Sequence, residues 1–321
     1  MDSTPGIQFR SNHADGLTRS FRLPVKPDRE RYGPATSTAA QQSIRIYTLG
    51  RLGVAIDGQA IHSGGKGQQR PISLFKALIA LGGRDVSSSP LWECLWPDAE
   101  GDLGARNLAI TVHRLRRMLG CHDAVLQHDG KLSLNDRVCW VDAWAFERLV
   151  NEGLRGLEEG ESGPDAKRAL QAALALYGGP FLAREAEEAW MLAPRLRLEI
   201  KFERLVAGLS SALEREGRIL EAIDICLSAL EREPLNEPLY RRLMDCYVKA
   251  SEFSSAARTY IRCRRALVRG LGMEPSEQTQ RIFLDALRMR TAARSKPAAG
   301  DLAGTATTKL KTGSQVELNY D

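Results

Sequence analysis

The stretch from Gly101 to Gly120, GDLGARNLAITVHRLRRMLG, predicts a helix with one apolar face and one basic face. Its large aliphatic side chains recur at intervals of four, three and four residues, which places them on one side of a helix: Leu108, Val112, Leu115 and Leu119. Asp102 is the predicted N-cap and Gly120 the predicted helix stop. A fold that contains this stretch must therefore bury one side of a helix and leave a charged side outside.

The face opposite the apolar stripe carries only positive charge. From Gly104 to Gly120 the stretch holds four arginines and one histidine but no carboxylate. At about 100° per residue, five side chains lie on or near this face: Arg106, Ile110, His113, Arg114 and Arg117. An arginine in this position can pair with the O6 and N7 acceptors of guanine in the major groove of DNA. The alternative interpretation is a solvated basic face on an ordinary surface helix.

Short strands and two helices precede the basic helix. Alternating apolar residues predict three strands in a small antiparallel meander: 44–50, 54–56 and 60–61. Asp57-Gly58 is a hairpin turn signal within this meander. Two helices follow, the first entered just after Pro71 and the second with Pro90 tolerated in its first turn: Ser73–Leu81 and Ser87–Trp96.

A second hairpin follows the basic helix. Asp129-Gly130 is a turn signal between two short strands, 125–127 and 131–134. The order of strands, helix, helix, basic helix and hairpin predicts a winged helix-turn-helix. In such a fold the basic helix enters a groove of double-stranded DNA, and the hairpin is a wing that can reach the DNA backbone.

The first half of the chain also resembles a known family. The segments VSSSPLWECLWPDAE and ARNLAITVHRLRRMLG, then the hairpin and VDAWAFE from Val141, resemble the DNA-binding half of the SARP-type activators, a response-regulator type of winged helix. The resemblance implies that Asp102–Leu119 is the recognition helix and that the loop Pro97–Gly101 can face RNA polymerase. It also suggests that two protomers, a homodimer on DNA, bind head-to-tail on a direct repeat. The wing lacks the Gly-Tyr pair that the family has after its turn.

The residues predicted to contact DNA combine the basic face with one wing residue. They are Arg106, Asn107, Ile110, Thr111, His113, Arg114, Arg117 and Lys131. We expect recognition-helix residues to reach base edges and Lys131 to reach phosphate.

From Ala143 onward helical patterns replace strand patterns. Helices are predicted to begin around Phe146 and to span Ala166–Tyr177 and Ala189–Arg215. A repeat of 34 residues follows, in which four marks of a tetratricopeptide repeat recur, except for the closing proline: Gly217, Ala222, Ala229 and Pro234, then Ser251, Ala256, Cys263 and Val268. Within the second repeat we expect Ile261 to pack against the preceding helix.

The second half resembles the bacterial transcriptional activator domain (BTAD) that follows the winged helix in the same family. The segments that carry this resemblance are ALALYGGPFL, PRLRLE, EPLNEPLYRRLM and RALVRGLGMEPS. The predicted fold is therefore mostly α-helical with small β-sheets: a winged helix-turn-helix over 44–142, then an all-α tetratricopeptide-like domain over 143–290. Residues 1–43 and 291–321 are predicted to be disordered tails.

A second basic run lies in this helical half. Helical spacing places four of its arginines on one face: Arg258, Arg262, Arg265 and Arg269. They could bind DNA backbone or an acidic surface of the polymerase, or they could only face water.

Charge and composition narrow the function further. Residues 44–142 carry 12 Lys/Arg and 10 Asp/Glu, and residues 143–290 carry 23 of each, so positive charge is confined to single elements. This favours site-directed over non-specific nucleic-acid binding. The six cysteines form no CxxC pair or zinc spacing, and no secretory signal or membrane helix is evident, so we expect free thiols and a cytoplasmic location without a membrane partner.

No catalytic residue, cofactor site or metal site is predicted. The glycine-rich loop at 64–67 fails the GxxxxGK[ST] spacing of a phosphate-binding loop, and the five histidines form no catalytic arrangement. The predicted function is sequence-specific DNA binding by a transcriptional regulator, an activator that contacts RNA polymerase. The alternative is a tetratricopeptide adaptor whose winged helix no longer reads DNA.

Overall fold

The computed structural model describes residues 43–61, 68–158, 164–185 and 187–295. The chain divides into two compact units between Lys201 and Phe202, and each unit is described by itself. The predicted tails lie outside the described residues, apart from Ser43 and the end of the last helix, which continues to Ser295. The glycine-rich loop at 64–67 also lies outside them.

Two small sheets frame the first unit. The first has the order β3-β2-β1-β7, where β1 is Ile44–Tyr47, β2 is Gly53–Ile56, β3 is Gln59–Ala60 and β7 is Cys139–Val141. Asp57 and Gly58 form the predicted turn between β2 and β3, with φ angles of 47° and 81°, as a two-residue hairpin requires. The strand β7, which the pattern did not reveal, pairs in parallel with β1.

The second sheet contains the wing. Its order is β4-β6-β5, with β4 at Val86–Ser87, β5 at Val125–His128 and β6 at Lys131–Leu134. The predicted hairpin of β5 and β6 is present, and Asp129 and Gly130 form its turn with φ angles of 46° and 70°. The two-residue strand β4 was not predicted, and it links the start of the second helix to the wing.

Three helices lie between these strands: α1 at Gln69–Ala80, α2 at Ser88–Leu95 and α3 at Gly101–Met118. The predicted start of α1 at Ser73 was too late, because Pro71 lies inside the first turn, where its missing N–H has no partner to lose. Ser87 stands at the N-cap position of α2, and Pro90 lies in the first turn as predicted. Strands, helix, helix, helix and hairpin give the winged helix-turn-helix order.

The first unit continues with α4 at Asp142–Glu158, α5 at Pro164–Leu176 and the first part of α6, Ala189–Arg215. Asp142 is buried and accepts hydrogen bonds from the backbone N–H groups of Thr48, Leu49 and Ala143 and from the Thr48 hydroxyl, at 2.7–3.0 Å. The carboxylate therefore joins the end of β1 to the start of α4.

The segment after α5 also pairs with the end of β1. Leu49 and Phe181 form an isolated antiparallel bridge, and the Leu182 N–H donates to the Thr48 carbonyl at 2.8 Å. A Cβ at Gly178 would lie 2.8 Å from the Leu49 carbonyl oxygen, so the two backbones approach too closely for a side chain there. This YGGPFL segment is thus a packed part of the first unit.

The second unit is helical. It contains the rest of α6, α7 at Ile219–Arg232, α8 at Glu237–Lys249, α9 at Phe253–Leu271 and α10 at Glu277–Ser295. One core cluster joins α8, α9 and α10, and within it the rings of Tyr260 and Phe283 stack with centroids 4.2 Å apart.

Equivalent positions of the 34-residue repeat share their conformation and burial. Gly217 and Ser251 end their helical turns with φ angles of 74° and 60°. Ala222 and Ala256 are fully buried, as are Ala229 and Cys263. Small side chains at these positions allow neighbouring helices to approach closely. The structure therefore has the predicted tetratricopeptide-like fold.

The two repeats differ where the closing proline is absent. Pro234 follows the end of α7 at Arg232, whereas the equivalent Val268 lies inside α9. The helix α9 continues to Leu271 and stops at Gly272, whose φ is 68°. The predicted packing of Ile261 is wrong, because its side chain lies on the outer face of α9 and is 45% exposed.

Candidate nucleic-acid interface

The helix α3 is fixed to the first unit by its apolar stripe. Leu108, Val112 and Leu115 are at most 4% exposed. At Gly104 an added Cβ would lie 2.6 Å from the indole ring of Trp92, so glycine allows α2 and α3 to pack closely at this point. The two helices of the helix-turn-helix are therefore held together on one side of α3, and its opposite side remains outside.

The outer face of α3 presents the predicted basic side chains. Arg106, Ile110, His113, Arg114 and Arg117 are all exposed. Within the part of the chain that the structure describes, no side chain forms an ion pair or hydrogen bond with the guanidinium of Arg106, Arg114 or Arg117. Their donors are therefore available to an external acceptor, and α3 supplies them from one rigid element.

Two further predicted contacts are less exposed. Asn107 is half-buried, and its backbone carbonyl accepts a hydrogen bond of 2.7 Å from the Thr111 hydroxyl. Thr111 itself is only 4% exposed and lies beside the apolar stripe. Because its hydroxyl is already used and its side chain faces inward, we remove Thr111 from the residues proposed to contact DNA.

Arg116, the remaining arginine of the stretch, stabilises the fold. Arg116 donates from Nε and Nη2 to the Val125 carbonyl, at 3.0 and 2.7 Å. This pair of bonds ties the end of α3 to the first strand of the wing. Helical spacing leaves Arg116 off the basic face that includes Arg117, but its partner was not predicted, because the contact joins residues nine apart across a turn.

The start of α3 differs from the prediction by two residues. Glu100 is at the N-cap position, and Asp102 lies in the first turn, so the predicted N-cap at Asp102 is wrong. Asp102 still places negative charge at the positive end of the helix dipole. The helix ends at Met118, two residues before the predicted stop, and Gly120 has the positive φ, 63°, that is typical of a glycine after a helix.

The wing is bonded to α2 at its turn, and its strands bury some side chains and expose others. The backbone N–H of Ser88, the first residue of α2, donates to the Gly130 carbonyl at 2.9 Å. Leu132 and Leu134 point into the core, whereas Lys131 is exposed beside the turn. Lys131 is therefore free to reach an external anion.

The second basic run, on α9, is partly neutralised. Arg264 donates from Nε and Nη2 to the Glu274 carboxylate at 2.6 and 2.8 Å, and this pairing lowers the pKa of Glu274. The guanidinium of Arg262 lies 5.9 Å from the centre of the Tyr240 ring, and Arg258 donates to the Ser255 hydroxyl. Arg265 and Arg269 complete the exposed face.

Two of the buried cysteines are not activated for chemistry, and no metal site is found among the described residues. All six cysteines are free thiols, and burial raises the pKa of Cys139 and of Cys263 to about 12, which leaves both thiols protonated. Among the described residues, no three His, Cys, Asp or Glu side chains come together as a metal site. None of the helices in the described ranges is both long enough and apolar enough to cross a membrane.

The chain is similar in sequence to known transcriptional regulators. Residues 141–288 match the family described as bacterial transcriptional activator domain. Regulatory protein DnrI of Streptomyces peucetius is 28% identical over 229 residues, covering 67% of this chain and 82% of DnrI. Transcriptional regulatory protein EmbR of Mycobacterium tuberculosis is 26% identical over 294 residues, covering 85% of this chain and 71% of EmbR. Both alignments are longer than the segment 141–288, so the similarity includes part of the preceding region.

The fold is also similar to a solved structure. Mycobacterium tuberculosis EmbR, in a complex with a low affinity phosphopeptide, matches with a TM-score of 0.58 and 22% sequence identity, over 79% of this chain and 69% of that chain. At this identity the likeness concerns the fold alone. The predicted fold class, a winged helix-turn-helix followed by tetratricopeptide-like helices, is confirmed.

Proposed function

Because the chain carries a bacterial transcriptional activator domain and is homologous to the SARP-type transcriptional regulators, we propose that it activates transcription by binding specific DNA sites through α3 and by contacting RNA polymerase. The observation that supports DNA binding most directly is the outer face of α3. Three arginines there have no partner within the described residues, while the opposite face is locked into the core. A helix held in this way can enter the major groove and pair arginine with guanine.

The proposed contacts have different roles. Arg106 or Arg114 pairs with a guanine edge: Arg106 lies near the start of α3, where recognition helices reach the bases, and Arg114 lies two turns further on the same face. Asn107, Ile110, His113 and Arg117 complete the helix surface. Lys131 on the wing contacts phosphate and contributes equally to every sequence.

The test compares two triple variants of equal charge. Arg106/Arg114/Arg117→Ala removes the unpaired arginines of α3, and Arg258/Arg265/Arg269→Ala removes three from α9. Electrophoretic shifts are measured on a selected cognate site and on random DNA, over a salt series. We expect the α3 variant to lose ~1–3 kcal/mol for each base-pairing arginine, mainly on the cognate site. Each lost phosphate contact lowers the salt slope by about one.

Circular dichroism must show that both variants are folded. If the α3 variant binds the cognate site with wild-type affinity, then α3 is not the reading helix. The adaptor interpretation, in which the winged helix no longer reads DNA, then takes the place of this proposal.

We propose further that two protomers bind head-to-tail on a direct repeat. Their α3 helices then lie about one helical turn, ~10–10.5 bp, apart or at a multiple of that distance. Insertion of about half a turn between the half-sites should sharply weaken cooperative binding, as measured by titration of one-site and two-site DNA. Unchanged affinity would mean that the sites are not coupled through the protein.

The contact with polymerase is assigned to the loop Pro97–Gly101, which joins α2 to α3. Pro97, Asp98 and Glu100 are exposed in this loop. Exchange of both acids for their amides, Asp98→Asn and Glu100→Gln, should not weaken DNA binding but should reduce transcription in a purified system. A variant that transcribes like the wild type would exclude this loop as the contact.

A further inference from the structure

One large aliphatic side chain lies in the middle of the basic face. Ile110 is 46% exposed and follows Arg106 by four residues and precedes Arg114 by four. The buried stripe of α3 does not include it, since Leu108 and Val112 point the other way. Ile110 is therefore an aliphatic group within the row of guanidinium groups.

Isolated exposed hydrophobic residues are common on proteins, and exposure alone does not identify a site. The position of Ile110 is what matters. Ile261 on α9 is equally exposed, but of these two isoleucines only Ile110 has an unpartnered arginine four residues away on both sides. In the major groove one base edge is apolar, because thymine alone carries a C5-methyl group there.

We propose that Ile110 reads a thymine methyl group, so that each half-site contains a thymine close to the guanine paired by Arg106 or Arg114. This inference depends on the proposed DNA-binding function of α3. Four residues of helix rise about 6 Å, which corresponds to about two base-pair steps. The thymine therefore lies within about two base pairs of that guanine.

The experiment uses a duplex selected by the full chain from random-sequence DNA. Each thymine in turn, at equivalent positions of both half-sites, is replaced by deoxyuridine, which removes the methyl group and keeps base pairing unchanged. Burial of one methyl group corresponds to about a fourfold change in affinity. We expect one thymine position at which deoxyuridine weakens wild-type binding about fourfold per half-site.

The matched variants are Ile110→Ala and Ile261→Ala. The two isoleucines are exposed to 46% and 45%, on α3 and on α9 respectively, so neither substitution disturbs a core. Ile110→Ala should bind the thymine and deoxyuridine duplexes equally, whereas Ile261→Ala should discriminate between them as the wild type does.

Two results would overturn the inference while leaving the proposed function intact. One is a selected duplex whose binding is insensitive to deoxyuridine at every position. The other is a methyl effect that persists in Ile110→Ala. If selection enriches no sequence at all, the proposed function itself fails, and the inference fails with it.

Discussion

The helices α3 and α9 both bury a stripe of apolar residues and carry a row of arginines outside, yet their arginines have different surroundings. On α3, three arginines have no side-chain partner among the described residues. On α9, Arg264 is held by Glu274, Arg262 lies over the Tyr240 ring, and Arg258 bonds to Ser255. Arg265 and Arg269 of α9 are also without a partner among the described residues, so α3 presents three of its four arginines freely and α9 two of its five.

This difference teaches that a count of positive charges does not identify a binding helix. An exposed ion pair adds little stability, and it also occupies a guanidinium that could otherwise bind phosphate or guanine. The three guanidinium groups on α3 can bind hydrogen-bond acceptors on another molecule, because no residue of the described chain occupies them. On α9 a carboxylate, an aromatic ring and a hydroxyl already contact three of the five arginines.

The largest effect is expected from the buried stripes. Leu115→Ala on α3 and Leu267→Ala on α9 each remove a side chain that is at most 3% exposed, and each should lower the free energy of unfolding by ~2–5 kcal/mol. All five tryptophans lie before Lys201, in the first unit. Denaturant unfolding followed by tryptophan fluorescence should therefore shift for Leu115→Ala. For Leu267→Ala the unfolding transition should shift only when it is followed by circular dichroism. A large shift in the fluorescence transition of this variant would mean that the two units unfold together.

A smaller effect is expected where α2 and α3 meet. Gly104→Ala places a methyl group against the Trp92 ring and should destabilise the first unit by ~1–3 kcal/mol. Gly101→Ala is the matched control in the same helix, because no atom lies within 4 Å of an added Cβ there. Denaturant unfolding should show the control within ~0.5 kcal/mol of the wild type. Equal stability of the two variants would contradict the close packing of α2 on α3.

The availability of arginine can also be changed directly. Ala109→Glu places a carboxylate among the guanidinium groups of α3 and should weaken DNA binding roughly tenfold, since one charge contributes about that factor near 0.1 M salt. Glu274→Gln does the reverse on α9 by releasing Arg264. Titrations on cognate and random DNA should show no gain in specificity for Glu274→Gln. A gain would assign DNA reading to α9 as well.

Much of this fold was predictable because its signals are local. The apolar stripe of α3, the two hairpin turns and the repeat positions from Gly217 to Cys263 follow from spacing and backbone preference within a few residues. The burial of Thr111 could also have been predicted, because it lies three residues after Leu108 and four before Leu115, on the apolar side of the helix. A threonine can be buried there because its hydroxyl bonds to the carbonyl four residues earlier.

What the sequence did not reveal depends on contacts between distant residues. The parallel pairing of β1 with β7 joins segments more than ninety residues apart, as does the bond from Thr48 to Asp142. The bridge between Leu49 and Phe181 spans a still longer separation. These contacts place residues up to Lys201 in the first unit, whereas the sequence predicts a domain boundary near Asp142–Trp144. That boundary remains a prediction, which limited proteolysis followed by mass spectrometry can test.

The two units also differ in the direction of one pKa shift each, that of the buried Asp142 in the first unit and that of the half-buried Glu214 in the second. Burial raises the pKa of Asp142 to about 6, although hydrogen bonds from Leu49, Thr48 and Ala143 oppose this change. Burial acts in the same direction on Glu214, but the hydrogen bonds from Lys249, Cys246 and Arg242 outweigh it and lower the pKa. The donors explain the contrast, because those of Asp142 are neutral, whereas two of the three at Glu214 are cations.

The last and smallest prediction is a difference in pH dependence. Between about pH 4 and pH 6 the folded chain keeps the proton of Asp142 and the unfolded chain releases it, so the free energy of unfolding of the first unit should fall as pH rises, by about 1 kcal/mol per pH unit. Glu214 acts in the opposite sense: its contribution is complete above its unfolded pKa and is lost as pH falls. Denaturant titrations followed by tryptophan fluorescence should show that Asp142→Asn removes the falling slope, whereas Glu214→Gln leaves it unchanged. An identical slope in wild type and Asp142→Asn would show that Asp142 is ionised throughout this range, and that its neutral hydrogen-bond donors suffice to hold a buried charge.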